Sequence, residues 1–179
     1  LSMLVWTTTP WTLSSNVAIA VNPNLTYSIC NVKSTTRQLV VCSDALKALK
    51  DDLISVEKEV KGSELVGLEY ETCFPELKEQ QFTHKVVAWE DVDATEGSGA
   101  VHIAPGCGAE DFELGERLGL KKVCPVDENG IFYKDFGFFS GKSTTEVADE
   151  VFEELKKRDK LYYVHKHKHR YPICWRCKK

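Results

Sequence analysis

Strand-like and helix-like runs do not alternate regularly along this chain, and that irregularity constrains the fold more than any other feature. Asn16–Val21 reads as a buried strand closed by Asn22-Pro23-Asn24. Thr26–Val32 and Gln38–Cys42 read as a hairpin around Lys33-Ser34-Thr35-Thr36. Ser43 is placed to cap a helix carrying Leu46, Leu49 and Leu53. Lys61-Gly62-Ser63 and Gly67 cut the next stretch into short pieces, and His84–Trp89 and Ala100–Ala104 read as further strands. Ala109–Leu118 reads as a helix stopped by Gly119. Asp127-Glu128-Asn129-Gly130 marks a tight turn between strands. Ser143 with Glu146 forms a capping box before an amphipathic helix with Val147, Val151 and Leu155 on one face. Leu161–Tyr171 alternates, with Tyr163, His165, His167, His169 and Tyr171 on one side. A doubly wound nucleotide fold needs a regular βαβ rhythm, which is missing. The pattern predicts a β-rich mixed α/β domain: a closed or nearly closed, barrel-like sheet with about three peripheral helices.

With 179 residues, the chain suits one domain, or one domain plus a tail. No apolar run approaches the roughly 18 residues of a membrane span, and Leu1-Ser2-Met3-Leu4-Val5 lacks a basic signal-peptide start. Seven cysteines, of which only Cys174 and Cys177 are closely spaced, argue against a disulfide framework and for a reducing, intracellular setting. The opening directly into a strand and the stop just past Cys177 read as a piece of a larger protein. The net charge of -4 hides an asymmetry: residues 156–179 hold ten Lys and Arg against one acid, Asp159. Such a block can attract a polyanion locally, although a solvated charged face is the commoner role.

Three motifs fail on inspection. Ser140-Gly141-Lys142-Ser143 resembles the end of a P-loop, but the glycine that motif requires at position 136 is Phe136. His165, His167 and His169 fit a packed or solvated face better than a metal site. Cys107 sits on a glycine turn without the adjacent base a thiolate nucleophile needs. Cys174-Trp175-Arg176-Cys177 is more specific: it is half of a zinc knuckle, or a redox pair, and the missing βαβ context favours the half-site.

Two segments carry chemistry. Trp6-Thr7-Thr8-Thr9-Pro10-Trp11-Thr12-Leu13, followed by Asn16, sets hydroxyls and backbone N–H groups at a strand end, where a carbonyl and a water can be held. Gly97-Ser98-Gly99-Ala100-Val101-His102-Ile103-Ala104-Pro105 runs into Gly108-Ala109-Glu110-Asp111, with glycines that allow close backbone approach. On chemistry alone, a core histidine and a helix-start carboxylate explain His102 and Asp111 better than a site does.

The pairing of W-T-T-T-P-W-T-L with G-S-G-A-V-H-I-A-P-G-C-G-A-E-D resembles the editing domain of isoleucyl-tRNA synthetases, the insertion called CP1 in class I synthetases. The following G-K-S and the closing Y-P-I-C-W-R-C-K extend the resemblance over essentially the whole chain. Valyl and leucyl editing domains usually carry T-T-R-P where this chain has Thr7-Thr8-Thr9-Pro10. The aminoacylation signatures HIGH and KMSKS are absent. The resemblance implies an editing domain over 1–160, and a basic linker strand with a half zinc knuckle over 161–179 that returns to the catalytic core. It implies hydrolysis of valine from mischarged tRNA for isoleucine, in a cytoplasmic enzyme, by a positioned water and without a covalent nucleophile. By motif match, Asp111 resembles the anchor of the substrate ammonium, and Thr7, Thr8 and Thr9 the strip that holds the terminal adenosine, ester and water. His102 resembles a pocket wall that excludes isoleucine, Trp6 packs beside the strip, and Asn16 matches a polar position near the site. No cofactor is implied for editing. Zinc, through Cys174 and Cys177, belongs to the full-length enzyme, and ATP and magnesium to its catalytic core. The implied partners are the tRNA 3′ end and the rest of the synthetase, with no membrane and a monomeric fragment. A valyl- or leucyl-type editing domain and a non-catalytic tRNA-binding module are the competing readings.

Overall fold

The computed structural model describes residues 1–95, 97–165 and 176. Eight strands occur in it: β1 (Ser2–Met3), β2 (Ala18–Val21), β3 (Thr26–Val32), β4 (Leu39–Cys42), β5 (Leu53–Lys61), β6 (Glu69–Tyr70), β7 (His84–Ala88) and β8 (Ala100–Ile103). Three α-helices accompany them: α1 (Gly62–Leu65), α2 (Ala109–Leu118) and α3 (Ala148–Lys157). The strands form two four-stranded sheets, ordered β1-β4-β3-β5 and β6-β7-β2-β8.

The expected closed or nearly closed, barrel-like sheet is met only in part, because no sheet closes on itself. The two sheets share a core, and they touch at one border, where the chain past β1 bonds Val40 O through Leu4 N–H and bridges to Val101 of β8 at Trp6. The central strand β2 is buried along its whole length and pairs parallel with β7 and antiparallel with β8. Its alternation serves two cores. Ile19 and Val21 meet Tyr27, Val41, Cys42 and Val86 between the sheets, whereas Ala18 and Ala20 join Phe74, Ile103, Leu114, Phe139 and Val151 under the helices. Tyr27 ties the layers together: its hydroxyl donates to Gly99 O at 2.7 Å and accepts from Asn22 N–H at 3.0 Å.

Other expectations shift locally. The segment Ser43–Asp52 is a 3-10 stretch, broken at Lys50 by a positive φ of 51°. Ser43 does not cap it, because its hydroxyl lies 2.8 Å from that of Ser28. Leu53, expected on that helix, instead opens the nine-residue β5, most of which the pattern left unassigned. The strand is a sheet edge, so Glu57, Lys58 and Glu59 face solvent and blur its alternation. Helix α2 has the expected bounds. Gly119 adopts φ 65° and Leu120 N–H closes onto Gly115 O at 2.9 Å. Helix α3 buries Val147, Val151 and Leu155 as expected. Its Ser143–Glu146 box is absent: Ser143 O accepts from Glu146 and Val147 N–H in a separate turn, and the helix begins at Ala148.

Beyond α3, Arg37 pairs with Asp159 at 3.3 Å, and Tyr162 OH donates to Asp52 Oδ2 at 2.8 Å. Leu161–His165 form no strand. Lys166–Arg170, the histidines His167 and His169, and the zinc-knuckle residues Cys174 and Cys177 lie outside the described residues. Among the described residues, no group of three or more His, Cys, Asp or Glu is placed to hold a metal, and no helix is long and apolar enough to cross a membrane. The five described cysteines are unpaired.

Candidate functional site

The two chemistry-bearing segments run beside each other. Trp6 bridges to Val101 of β8, and Val17 N–H donates to Ile103 O at 2.8 Å. The Gly97-Ser98-Gly99 turn straps the first segment in place. Ser98 Oγ donates to Leu4 O at 2.5 Å, and Ser98 O accepts from Cys42 N–H at 2.9 Å. At Gly99, φ is 73° and a side chain would overlap Cys42, so only glycine serves there.

Pro10 fixes the first position of a 3-10 turn over Pro10–Ser15. That turn folds the threonines into a bonded series. Thr9 N–H donates to Thr7 Oγ1 at 3.1 Å, Thr12 Oγ1 donates to Thr9 O at 2.7 Å, and the Thr9 and Thr12 hydroxyls lie 3.4 Å apart. Thr12 Oγ1 then meets His102 Nε2 at 3.0 Å, a buried contact across 90 residues. A hydroxyl has one proton, and Thr12 commits it to Thr9 O. His102 must therefore carry its proton on Nε2, which leaves Nδ1 as a bare acceptor. That Nδ1 is buried and without a partner. Burial lowers the His102 pKa to about 4, so the ring is neutral at neutral pH.

Asp111 stands in the first turn of α2, and its Oδ2 accepts from Ala104 N–H at 2.8 Å, two residues beyond His102. It is partly buried, and no basic side chain among the described residues pairs with it. Desolvation raises its pKa above the ordinary carboxylate value and Glu110 adds to the rise, against the Ala104 N–H, which lowers it. Cys107, between His102 and Asp111, is raised to about 11 by burial, with the Ser15 hydroxyl opposing. It is a thiol at neutral pH and a poor nucleophile.

The structure thus joins Trp6, Thr7, Thr9 and His102 in one framework, with Asp111 tied to it through Ala104. Thr8 is exposed. Asn16 is buried and uses both ends of its amide internally: Nδ2 donates to Ala18 O at 2.8 Å, and Oδ1 accepts from Tyr70 OH at 2.6 Å. Thr12 was not singled out from the sequence. The signal for it was available: Pro10 announces a turn that returns the residue three beyond Thr9 onto the Thr9 carbonyl.

Comparison with known proteins identifies the family and the fold of the chain. The chain is 38% identical over 178 residues to the isoleucine–tRNA ligase of Methanothermobacter thermautotrophicus, covering 98% of the chain. It is 38% identical over 185 residues to that of Sulfolobus acidocaldarius, and 34% over 180 residues to that of Bdellovibrio bacteriovorus. The chain belongs to the isoleucine–tRNA ligase family. It spans about 17% of the length of these relatives. No protein-family model matches the chain. Its fold is that of the structure titled GlLeuRS-CP1, with a TM-score of 0.71 at 15% identity over 92% of this chain and 84% of that one. A P. falciparum cytosolic leucyl-tRNA synthetase editing domain aligns with a TM-score of 0.64 at 14% identity, over 87% and 76% of the two chains. The family is therefore read from sequence, and the CP1 architecture from shape.

Proposed function

We propose that this chain is the editing unit of an isoleucine–tRNA ligase, a hydrolase that cleaves the ester between valine and the 3′ end of tRNA for isoleucine. The observation that carries the reading is the carboxylate of Asp111: partly buried, fixed on one oxygen by Ala104 N–H, without a cationic partner among the described residues, and tied through β8 and His102 to the turn that carries the threonines. An aminoacyl ester brings an α-ammonium that fits this vacancy, through a charge-assisted bond that also fixes the ester's position.

An apolar pocket gains only ~1–3 kcal/mol from one methylene, and isoleucyl-tRNA synthetase is the standard illustration of that limit. A second site that rejects by size supplies the remaining discrimination. His102, neutral and locked by Thr12, forms a rigid wall for that purpose. Thr7 and Thr9, with the backbone of the Pro10 turn, orient the terminal adenosine and a water. Threonine hydroxyls are poor bases, so their contribution is positioning and donation to the developing oxyanion. Burial keeps Cys107 a thiol, which makes it a poor nucleophile, and the proposed route is attack by a positioned water. This chemistry calls on no cofactor. In the full-length synthetase, Cys174 and Cys177 would supply half of a zinc site, ATP and magnesium would serve the aminoacylation core, and the basic residues Lys166, Lys168 and Arg170 would contact the tRNA. We place the whole enzyme in the cytoplasm, where its tRNA substrate is found.

The test is single-turnover deacylation of tRNA for isoleucine carrying valine or isoleucine. Valine is expected to be released at least about 100-fold faster, the step a second sieve must add to one methylene's worth of binding. Equal release of both, or release of neither at saturating protein, rejects the reading.

A further inference from the structure

His84 on β7 faces an unusual set of partners. Both of its ring nitrogens meet acceptors: Nδ1 lies 2.9 Å from Phe82 O, and Nε2 lies 3.1 Å from Asn16 O and 3.1 Å from Gln80 Oε1. The Gln80 amide cannot rotate to relieve this. Its Nε2 donates to Ser14 O at 2.9 Å and its Oε1 accepts from Thr72 Oγ1 at 3.0 Å, so a flip would set oxygen against oxygen. The ring is held flat on Phe82, with centroids 4.1 Å apart, and meets the Tyr70 ring edge-on at 5.6 Å. Tyr70 itself bonds Asn16 Oδ1 at 2.6 Å.

These contacts converge on one place. His84, Gln80 and Tyr70 all end on Ser14 or Asn16, the last residues of the threonine segment, across 54 to 68 positions of sequence. Of the two neutral tautomers, the one protonated on Nε2 serves two acceptors and the other serves one. We propose that His84 is a positioning residue: its Nε2–H holds the Asn16 carbonyl, and through it the Thr7–Asn16 segment, in register against β8. The role rests on the editing reading for its catalytic consequence, but the brace itself does not.

Two measurements separate these claims. In ¹⁵N-labelled protein at pH 7.5, long-range nitrogen–proton spectra should show His84 protonated on Nε2, and protonation on Nδ1 alone overturns the proposal. In variants, His84→Gln carries an N–H near the Nε2 position, whereas His84→Asn carries one near Nδ1. Amide exchange of Val17, whose N–H bonds Ile103 O, should accelerate at least about tenfold in His84→Asn and stay within about threefold of wild type in His84→Gln. Ile29 in the other sheet should be unmoved in both. If the wild type releases valine, kcat should fall at least about tenfold in His84→Asn at unchanged KM, with His84→Gln restoring most of it. A wild type that releases no valine removes the editing reading, while the tautomer and the Val17 exchange still decide the brace. Equal behaviour of the two variants removes the brace.

Discussion

Asp111→Asn is expected to reduce valine release from mischarged tRNA by at least about 100-fold while leaving the protein as stable as wild type, or more so. The two halves follow from one observation. Asparagine retains an oxygen for Ala104 N–H, which lies 2.8 Å from Asp111 Oδ2, so the local hydrogen bond survives. The negative charge does not survive, and removing one partner of a desolvated charge pair costs about 2–5 kcal/mol of binding. Stability moves the other way. The Asp111 pKa is raised in the folded state, so the unfolded chain ionises at lower pH. Stability is then fully present below the unfolded value near 3.8 and is lost as pH rises through the folded one. At neutral pH Asp111 is therefore a partly desolvated charge with no cationic partner among the described residues, which the proposed substrate ammonium would relieve. Urea unfolding beside single-turnover deacylation checks both halves. A stability loss matching the activity loss would mean that Asp111 is a helix-start residue and nothing more.

The second large effect concerns acid. His102 has its pKa lowered to about 4 from the ordinary 6.5, because its ring is buried. Between those values the unfolded chain binds a proton that the folded chain refuses, so this residue favours folding fully above 6.5 and progressively less as pH falls toward 4. A gap of this size amounts to ~3 kcal/mol, a large share of a domain's marginal stability. The physical conflict is local: a second proton on the ring would place a charge at the unpartnered Nδ1 in the core. His102→Gln removes the titration and keeps an N–H for Thr12. Between pH 7 and pH 4.5, its unfolding free energy should fall by roughly 2 kcal/mol less than that of wild type. Parallel pH profiles would contradict the buried, neutral histidine and, with it, the rigid wall assigned to the pocket.

Both effects sit on residues visible from the sequence, but their surroundings were not. Elements bounded by strong local signals were legible. Gly108 and Gly119 delimit α2, Pro23 ends the strand that contains β2, and the Lys33–Thr36 turn joins β3 to β4. The solvated edge strand β5 was not legible, because its consecutive charges Glu57, Lys58 and Glu59 are all exposed and erase the alternation that marks a strand. Barrel closure is met only in part for a related reason: strand count says nothing of which edges meet, and here two sheets touch at the Trp6–Val101 border without closing into one. The site divides in the same way. The glycine turn, His102, Asp111 and the threonines stand out as local motifs. The bonds that set their state, Thr12 to His102 and His84 to Asn16, span 90 and 68 residues and leave no local trace. Asn16 shows the cost of motif reading alone, since its amide is spent on Ala18 and Tyr70.

The central claim is that the Asp111 carboxylate and the threonine segment grip the two ends of one aminoacyl-adenosine. A structure of the protein with a nonhydrolysable valyl-adenosine analogue measures this directly. The account predicts the valyl ammonium at charge-assisted distance, about 2.7–2.9 Å, from an Asp111 oxygen, with the valyl side chain against His102 and the ribose over Thr7–Thr9. An ammonium seated away from Asp111, or an analogue bound on another face of the sheets, contradicts it.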